Sequence, residues 1–183
     1  MQFFFVLTYI FFVKIFNNYE TFLVHRREDL DKPEDEGLEG CRNFYFNPET
    51  DIKLGIWHIL PRNLVNSENF TNETEWFEKS LSEAGQPIII YFHGTTGTRA
   101  LEYRIGLYKL FQNLNYHVIC CDYRGFGDST RVIPNKNDVV RDSIKVYEYV
   151  KVEGTINEFQ SFKENLFVNI ALQLSAKKSV TKM

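Results

Sequence analysis

Two short, unbroken apolar runs constrain this chain more than any other feature. Ile88, Ile89, Ile90, Tyr91 and Phe92 follow one another without polar alternation, and so do Val118, Ile119, Cys120 and Cys121. A strand with one wet face alternates, whereas a run that is apolar at every position is covered on both faces, as in a parallel sheet. Between the runs Leu107, Leu110, Phe111 and Leu114 recur at helical spacing, which predicts a strand, a crossover helix and a second parallel strand. Another helix is expected over Asp138 to Val150, where Val140, Ile144 and Tyr147 fall at i, i+4 and i+7. This order of elements belongs to the α/β class, with a partly parallel sheet.

Upstream, Phe44 to Phe46, a turn over Asn47 to Asp51, and the alternation of Ile52, Leu54 and Ile56 with Lys53, Gly55 and Trp57 predict an antiparallel hairpin at the sheet edge. The acidic stretch Glu28 to Gly40 reads as a connector. The polar insert Arg62 to Gln86 carries one helical pattern through Trp76, Phe77 and Leu81. Beyond Glu153, Phe159, Phe162, Leu166, Ile170 and Leu174 mark one face of an amphipathic helix, with no further buried strand. At 183 residues and 44% hydrophobic, the chain can bury one core. Three segments result: a hydrophobic start over 1–24, a domain over 25–151 and a divergent tail over 152–183.

Composition removes several functions. Lys and Arg number 21 against 24 Asp and Glu, a net charge of −3, with no basic stripe to follow a phosphate backbone, so nucleic acid is excluded as a partner. Cys41, Cys120 and Cys121 form no C-x-x-C pair, and Cys120 and Cys121, as strand neighbours, face opposite ways. No histidine pair has ligand spacing, so no metal is expected. The glycines give neither G-x-G-x-x-G nor a P-loop, so no nucleotide cofactor is expected either. The run Phe3 to Val13 is short for a span of roughly 20 residues; a membrane anchor, a signal-like segment and a buried start all fit it. Overlapping acceptor patterns at Asn69 and Asn72 predict glycosylation on a lumenal or extracellular loop, while His25, Arg26 and Arg27 draw their side of the run toward the cytoplasm.

In open α/β sheets chemistry gathers beyond the carboxyl ends of the strands. The loop after Phe92 reads His93-Gly94-Thr95-Thr96-Gly97-Thr98-Arg99, and its glycines free backbone N–H groups to face an oxygen. The loop after Cys121 reads Asp122-Tyr123-Arg124-Gly125-Phe126-Gly127-Asp128-Ser129. With these two motifs the chain resembles the α/β-hydrolases. With Lys32 to Leu38, Gly55-Ile56-Trp57-His58 and Gly97-Thr98-Arg99 added, it is similar over residues 26 to 151 to the membrane-anchored lysophosphatidylserine and monoacylglycerol lipase branch. The resemblance implies an incomplete α/β-hydrolase fold, an antiparallel hairpin followed by parallel strands with crossover helices. It further implies a lipid ester as the full-length family's substrate and a domain in the endoplasmic reticulum lumen behind an N-terminal anchor. Carried over by position, the backbone N–H of Thr95 serves the oxyanion hole, His93, Gly94 and Gly97 shape its loop, and Asp122, Arg124, Gly125 and Gly127 hold the neighbouring loop.

No catalytic residue is assigned. A nucleophile elbow needs G-x-S-x-G, whereas Gly127-Asp128-Ser129-Thr130-Arg131 ends in arginine, and no histidine follows His117. Ser129 is expected to be a turn residue. The chain is therefore read as a truncated or partial lipid-ester serine hydrolase, inactive as it stands; the alternative is a non-catalytic, membrane-anchored binding or regulatory protein derived from that fold. In the first reading a nucleophile strand belongs between the two apolar runs, and its absence leaves them uncovered and the chain poorly soluble.

Overall fold

The two apolar runs pair directly with each other. The computed structural model describes residues 4–8, 30–65, 73–83, 85–94 and 96–153. In chain order its elements are β1 (Phe4–Thr8), β2 (Cys41–Glu49), β3 (Ile52–Ile59), α1 (Glu73–Glu83), β4 (Ile88–Phe92), α2 (Glu102–Asn113), β5 (His117–Cys121) and α3 (Lys136–Glu153). The strands form one sheet of order β1-β4-β5-β3-β2. β4 and β5 run parallel, Ile88 beside His117 and Phe92 beside Cys121. No strand lies between them, which corrects the expected position of a nucleophile strand. The open side of β4 instead takes β1, in parallel, with Phe4 beside Ile88 and Thr8 beside Phe92.

β2 and β3 form the expected antiparallel hairpin, with β2 at the edge. The ladder shifts between Phe46 and Glu49, where Pro48 has no N–H to give. The alternation in β3 suggested a half-buried strand, yet Leu54 through Ile59 are all buried. β3 pairs with β2 on one side and with β5 on the other, and side chains cover both faces.

Those faces sort by strand parity. Ile56, Ile88, Ile90, Phe92, Ile119 and Cys121 join Leu81 of α1 and Val146, Tyr147 and Val150 of α3 on one side. Trp57, Ile59, Tyr91, Val118 and Cys120 join Ile105 and Tyr108 of α2 on the other. Cys120 and Cys121 thus part to opposite faces, as period-2 geometry requires. The stretch read as a connector belongs to the second cluster through Leu30 and Leu38, and the Trp57 Nε1–H donates to the Leu30 carbonyl at 2.8 Å.

The face of α2 departs from its apolar spacing. Leu110 and Leu114 are 54% and 57% exposed, while Arg104, Ile105, Tyr108 and Gln112 are buried. Gln112 donates to the carbonyls of Glu39 and Leu60 at 2.7 and 2.9 Å, so a polar side chain occupies the inner face at little cost because its donors are satisfied. Among the described residues no helix is long and apolar enough to cross a membrane. The rest of the hydrophobic start, the sequons and the tail beyond Glu153 lie outside the described residues.

One buried pair has a measurable signature. His58 Nε2 and His117 Nδ1 lie 3.1 Å apart with both residues fully buried, the His58 ring set edge-on to Phe77. Burial lowers His117 to about 3; burial, then His117 and Arg42, holds His58 well below the ordinary range. A neutral pair shares one proton as donor and acceptor, whereas two cations would meet donor to donor. Below about pH 6.5 the unfolded chain takes up protons that the folded chain refuses. Stability present above that pH is therefore lost as pH falls toward 3, by about 1.4 kcal/mol per pH unit for each histidine. Unfolding free energies from urea titrations should stay level from about pH 7.5 to 6.5, fall with this slope toward pH 5, and flatten in His58→Gln/His117→Gln; an unchanged slope in that variant refutes the assignment.

Candidate active-site loops

β4 and β5 end side by side at Phe92 and Cys121, so the segments that follow them meet at one end of the sheet. Asp122, the first residue after β5, joins them. It is fully buried, and its N–H donates to the Gly55 carbonyl at 3.0 Å. Its Oδ1 accepts the Arg99 backbone N–H at 2.8 Å and lies 2.9 Å from His93 Nε2. Its Oδ2 accepts Arg99 Nη1 at 2.6 Å. Burial pushes the Asp122 carboxyl up, but Arg99, with His93, outweighs it and the net displacement is downward.

Arg99 is itself fully buried. Beyond Asp122 it donates through Nη1 and Nη2 to the two carboxylate oxygens of Asp128 at 2.7 and 2.9 Å, and through Nη2 to Asn43 Oδ1 at 2.9 Å. Its guanidinium carbon lies 5.1 Å from the centre of the Trp57 ring. A planar fork of five donors fits two carboxylates and a stacked ring at once, which lysine cannot do. Burial works against the charged guanidinium, and Asp122 and Asp128 more than reverse that, so its pKa is raised.

Two glycines make room for this ion cluster. A Cβ on Gly55 would sit 2.1 Å from Asp128 Oδ1 and 2.8 Å from Arg99 Nη1. Gly127, at φ +52, would place one 2.2 Å from Asp122 Oδ2. Gly125 has φ +86, and a Cβ there would meet the Val132 carbonyl at 2.5 Å. Close backbone approach and a left-handed turn account for all three.

The expected site residues divide into groups. His93, Gly97, Asp122, Gly125 and Gly127 gather in the two loops, with the His93 ring 4.9 Å from Tyr123 and 5.1 Å from Phe126. His93 Nδ1 lies 2.6 Å from the Gly94 carbonyl oxygen. Arg124 turns elsewhere: it grips Asp142 of α3 with Nε and Nη2 at 2.8 and 2.5 Å and Glu49 of β2 at 2.7 Å, tying its loop to the hairpin and to α3. Thr95, Asn69 and Asn72 lie outside the described residues. Ser129 is a turn residue in fact: its buried Oγ donates to the Asp122 carbonyl at 2.7 Å and accepts the Gly55 N–H at 2.8 Å. Arg99 was visible only as part of a resembling triplet, and Asp128 and Asn43 carried no signal, because their partners lie 29 and 56 residues away.

Breaking a buried ion pair from one side leaves an uncompensated charge and costs about 3–5 kcal/mol. Asp122→Asn is expected to lower unfolding free energy by about that amount. Asp128→Asn, whose side chain is 21% exposed, should cost about 1 kcal/mol. Equal losses in denaturant titrations would show that Asp122 is not the centre of the cluster.

No protein-family profile matches the chain. Lysophosphatidylserine lipase ABHD12 of Xenopus tropicalis is 37% identical over 146 residues, 80% of this chain and 37% of that protein. Its counterpart from Danio rerio is 39% identical over 67% of this chain and 31% of the relative, and human protein ABHD12B is 36% identical over 78% and 38%. Among solved structures, a Pyrococcus furiosus esterase superposes on 70% of this chain and 41% of its own with a TM-score of 0.46 at 19% identity, too distant a likeness to bear on function. The chain spans less than two fifths of the length of the curated relatives it matches. Within that span, its sequence makes it a homologue of the ABHD12 lysophosphatidylserine lipases.

Proposed function

We propose that this chain contributes the oxyanion-binding side of a lipid-ester serine hydrolase of the lysophospholipase or monoacylglycerol lipase type, and that it has no hydrolytic activity by itself. The observation that carries this reading is the attachment to Asp122 of Arg99 and His93, which flank the glycine-rich segment, at the carboxyl ends of two adjacent parallel strands. Donors held rigidly before charge develops stabilise it without reorganising, which is the requirement on an oxyanion hole. Thr95 supplies one backbone N–H in this reading, and His93 and Gly94 shape the turn around it.

The inactivity in this reading is supported by the commitments of the described side chains. The Ser129 hydroxyl donates to one backbone group and accepts from another. His58 and His117 face each other in the interior, and His93 is held between Gly94 and Asp122. None of these three histidines faces a serine hydroxyl as a general base must. Purified chain should give no esterase signal above background and no labelling by a serine-directed fluorophosphonate. Stoichiometric labelling that Ser129→Ala abolishes would overturn the reading.

The lumenal side of the proposal rests on the paired sequons, whereas Phe4–Thr8 of the hydrophobic start pair with β4 in the sheet, as a buried start would. In this reading the domain lies in the lumen of the endoplasmic reticulum, and Asn69 and Asn72 are glycosylated. Expressed in a secretory pathway, the protein should shift on a gel after endoglycosidase treatment. The shift should vanish when Thr71→Ala and Thr74→Ala are combined; absence of any shift in the unaltered chain would place the domain on the cytoplasmic side.

A further inference from the structure

Arg104 opens the first turn of α2 and is 1% exposed. Its guanidinium turns back onto the preceding loop: Nη1 donates to the Thr98 carbonyl at 2.6 Å and Nη2 to the Thr96 carbonyl at 2.7 Å. Nε donates to the Tyr103 hydroxyl at 3.0 Å. Among the described residues no carboxylate lies within ion-pair distance of it, in contrast with Arg99 and Arg124. Among the described residues it is thus a buried cation held by neutral oxygens, an arrangement whose desolvation cost no described anion offsets.

Peptide geometry turns these two contacts into a statement about the opposite side of the loop. In a trans peptide the C=O and the following N–H point in opposite directions, and none of the described peptides is cis. Holding the Thr98 carbonyl toward α2 sends the Arg99 N–H the other way, where it meets Asp122 Oδ1. Holding the Thr96 carbonyl in the same direction sends the Gly97 N–H away from α2 as well. That N–H has no acceptor among the described residues. Gly97 stands at φ +69, and a Cβ there would lie 2.4 Å from Leu101 Cδ1, so the loop keeps this form with glycine at that position.

We infer that Arg104 is a positioning residue for an oxyanion donor that the motif alone does not point to, the Gly97 N–H. The guanidinium fixes the direction of the donor through the Thr96 carbonyl and adds a positive charge behind it. The ligand class is an oxygen anion, such as the carboxylate or the developing alkoxide of an acyl group. The inference rests on the oxyanion reading above for its purpose, but the orienting role stands on geometry and is tested separately.

The test is amide NMR of the full chain, free and titrated with octylphosphonate, for the unaltered protein, Arg104→Met and Arg104→Lys. In the free protein, Arg104→Met should move the Gly97 and Arg99 amide signals and speed their hydrogen exchange, while the Ile88–Phe92 amides keep their positions. The titration should shift the Gly97 amide of the unaltered chain, and Arg104→Met should weaken that binding by about tenfold or more. Arg104→Lys keeps the charge but reaches a single carbonyl, so it should perturb one of the two amides and bind with intermediate affinity. Should Arg104→Met fail to fold, the lysine variant decides: both amide signals unchanged in it, as in a folded methionine variant, would overturn the positioning role. If the unaltered chain does not bind the phosphonate while the variants still displace the Gly97 signal, the oxyanion reading fails and the positioning role survives.

Discussion

The buried ion pair between Arg99 and Asp122 is the constraint on which the rest of this end of the molecule depends. Either charge alone in the interior would be costly, and together they are tolerable only with their remaining donors and acceptors satisfied. The structure meets most of that condition from four directions: Asp128 and Asn43 take donors of Nη1 and Nη2, and the Arg99 amide and His93 face the carboxylate, while Arg99 Nε is buried without a partner among the described residues. Because those partners come from β2 and from the loops after β4 and β5, satisfying one pair aligns three stretches of chain. The glycines at 55 and 127 are consequences of it, since each leaves room for a carboxylate oxygen where a methyl group would clash.

The sheet delivers the two loops to that meeting point. Direct parallel pairing of β4 with β5 brings Phe92 level with Cys121, and α2 must then cross one face to join them. Arg124 extends the support outward, binding α3 and the hairpin through Asp142 and Glu49. The two arginines therefore have separate duties, Arg99 between the loops and Arg124 between one loop and the scaffold. On its other side β4 carries β1, so the ladder groups of the strand that leads into the His93 loop are paired on both sides. An unpaired strand there would be a site for association with other chains.

Helix α2 shows how polar groups can displace apolar ones from an inner face. Spacing alone favoured Leu107, Leu110, Phe111 and Leu114, yet Leu110 and Leu114 are exposed while Arg104 and Gln112 are buried. Both polar side chains reach backbone carbonyls, Arg104 in the loop before the helix and Gln112 at Glu39 and Leu60. A hydrophobic pattern cannot anticipate such contacts, because a buried donor is acceptable or ruinous according to whether an acceptor waits for it.

The sequence by itself determined the elements and their class. Short apolar runs, helical spacing between them and an alternating hairpin are local signals, and β2 through β5 and the three α-helices among the described residues lie where those signals put them. Motif and resemblance likewise pointed to the loops at 93–99 and 122–129, and to a serine hydrolase relative without an elbow of its own. Only the tertiary structure decided the strand order, including the adjacency of β4 and β5 and the placement of Phe4–Thr8 on the outer side of β4. It alone brought Asn43, Asp128 and Gly55 to Arg99, and aimed Arg104 at the loop. The physical reason is range: periodicity and turn chemistry act between near neighbours in the chain, whereas strand order and charge pairing depend on contacts across 23 to 56 residues that form only when the core closes.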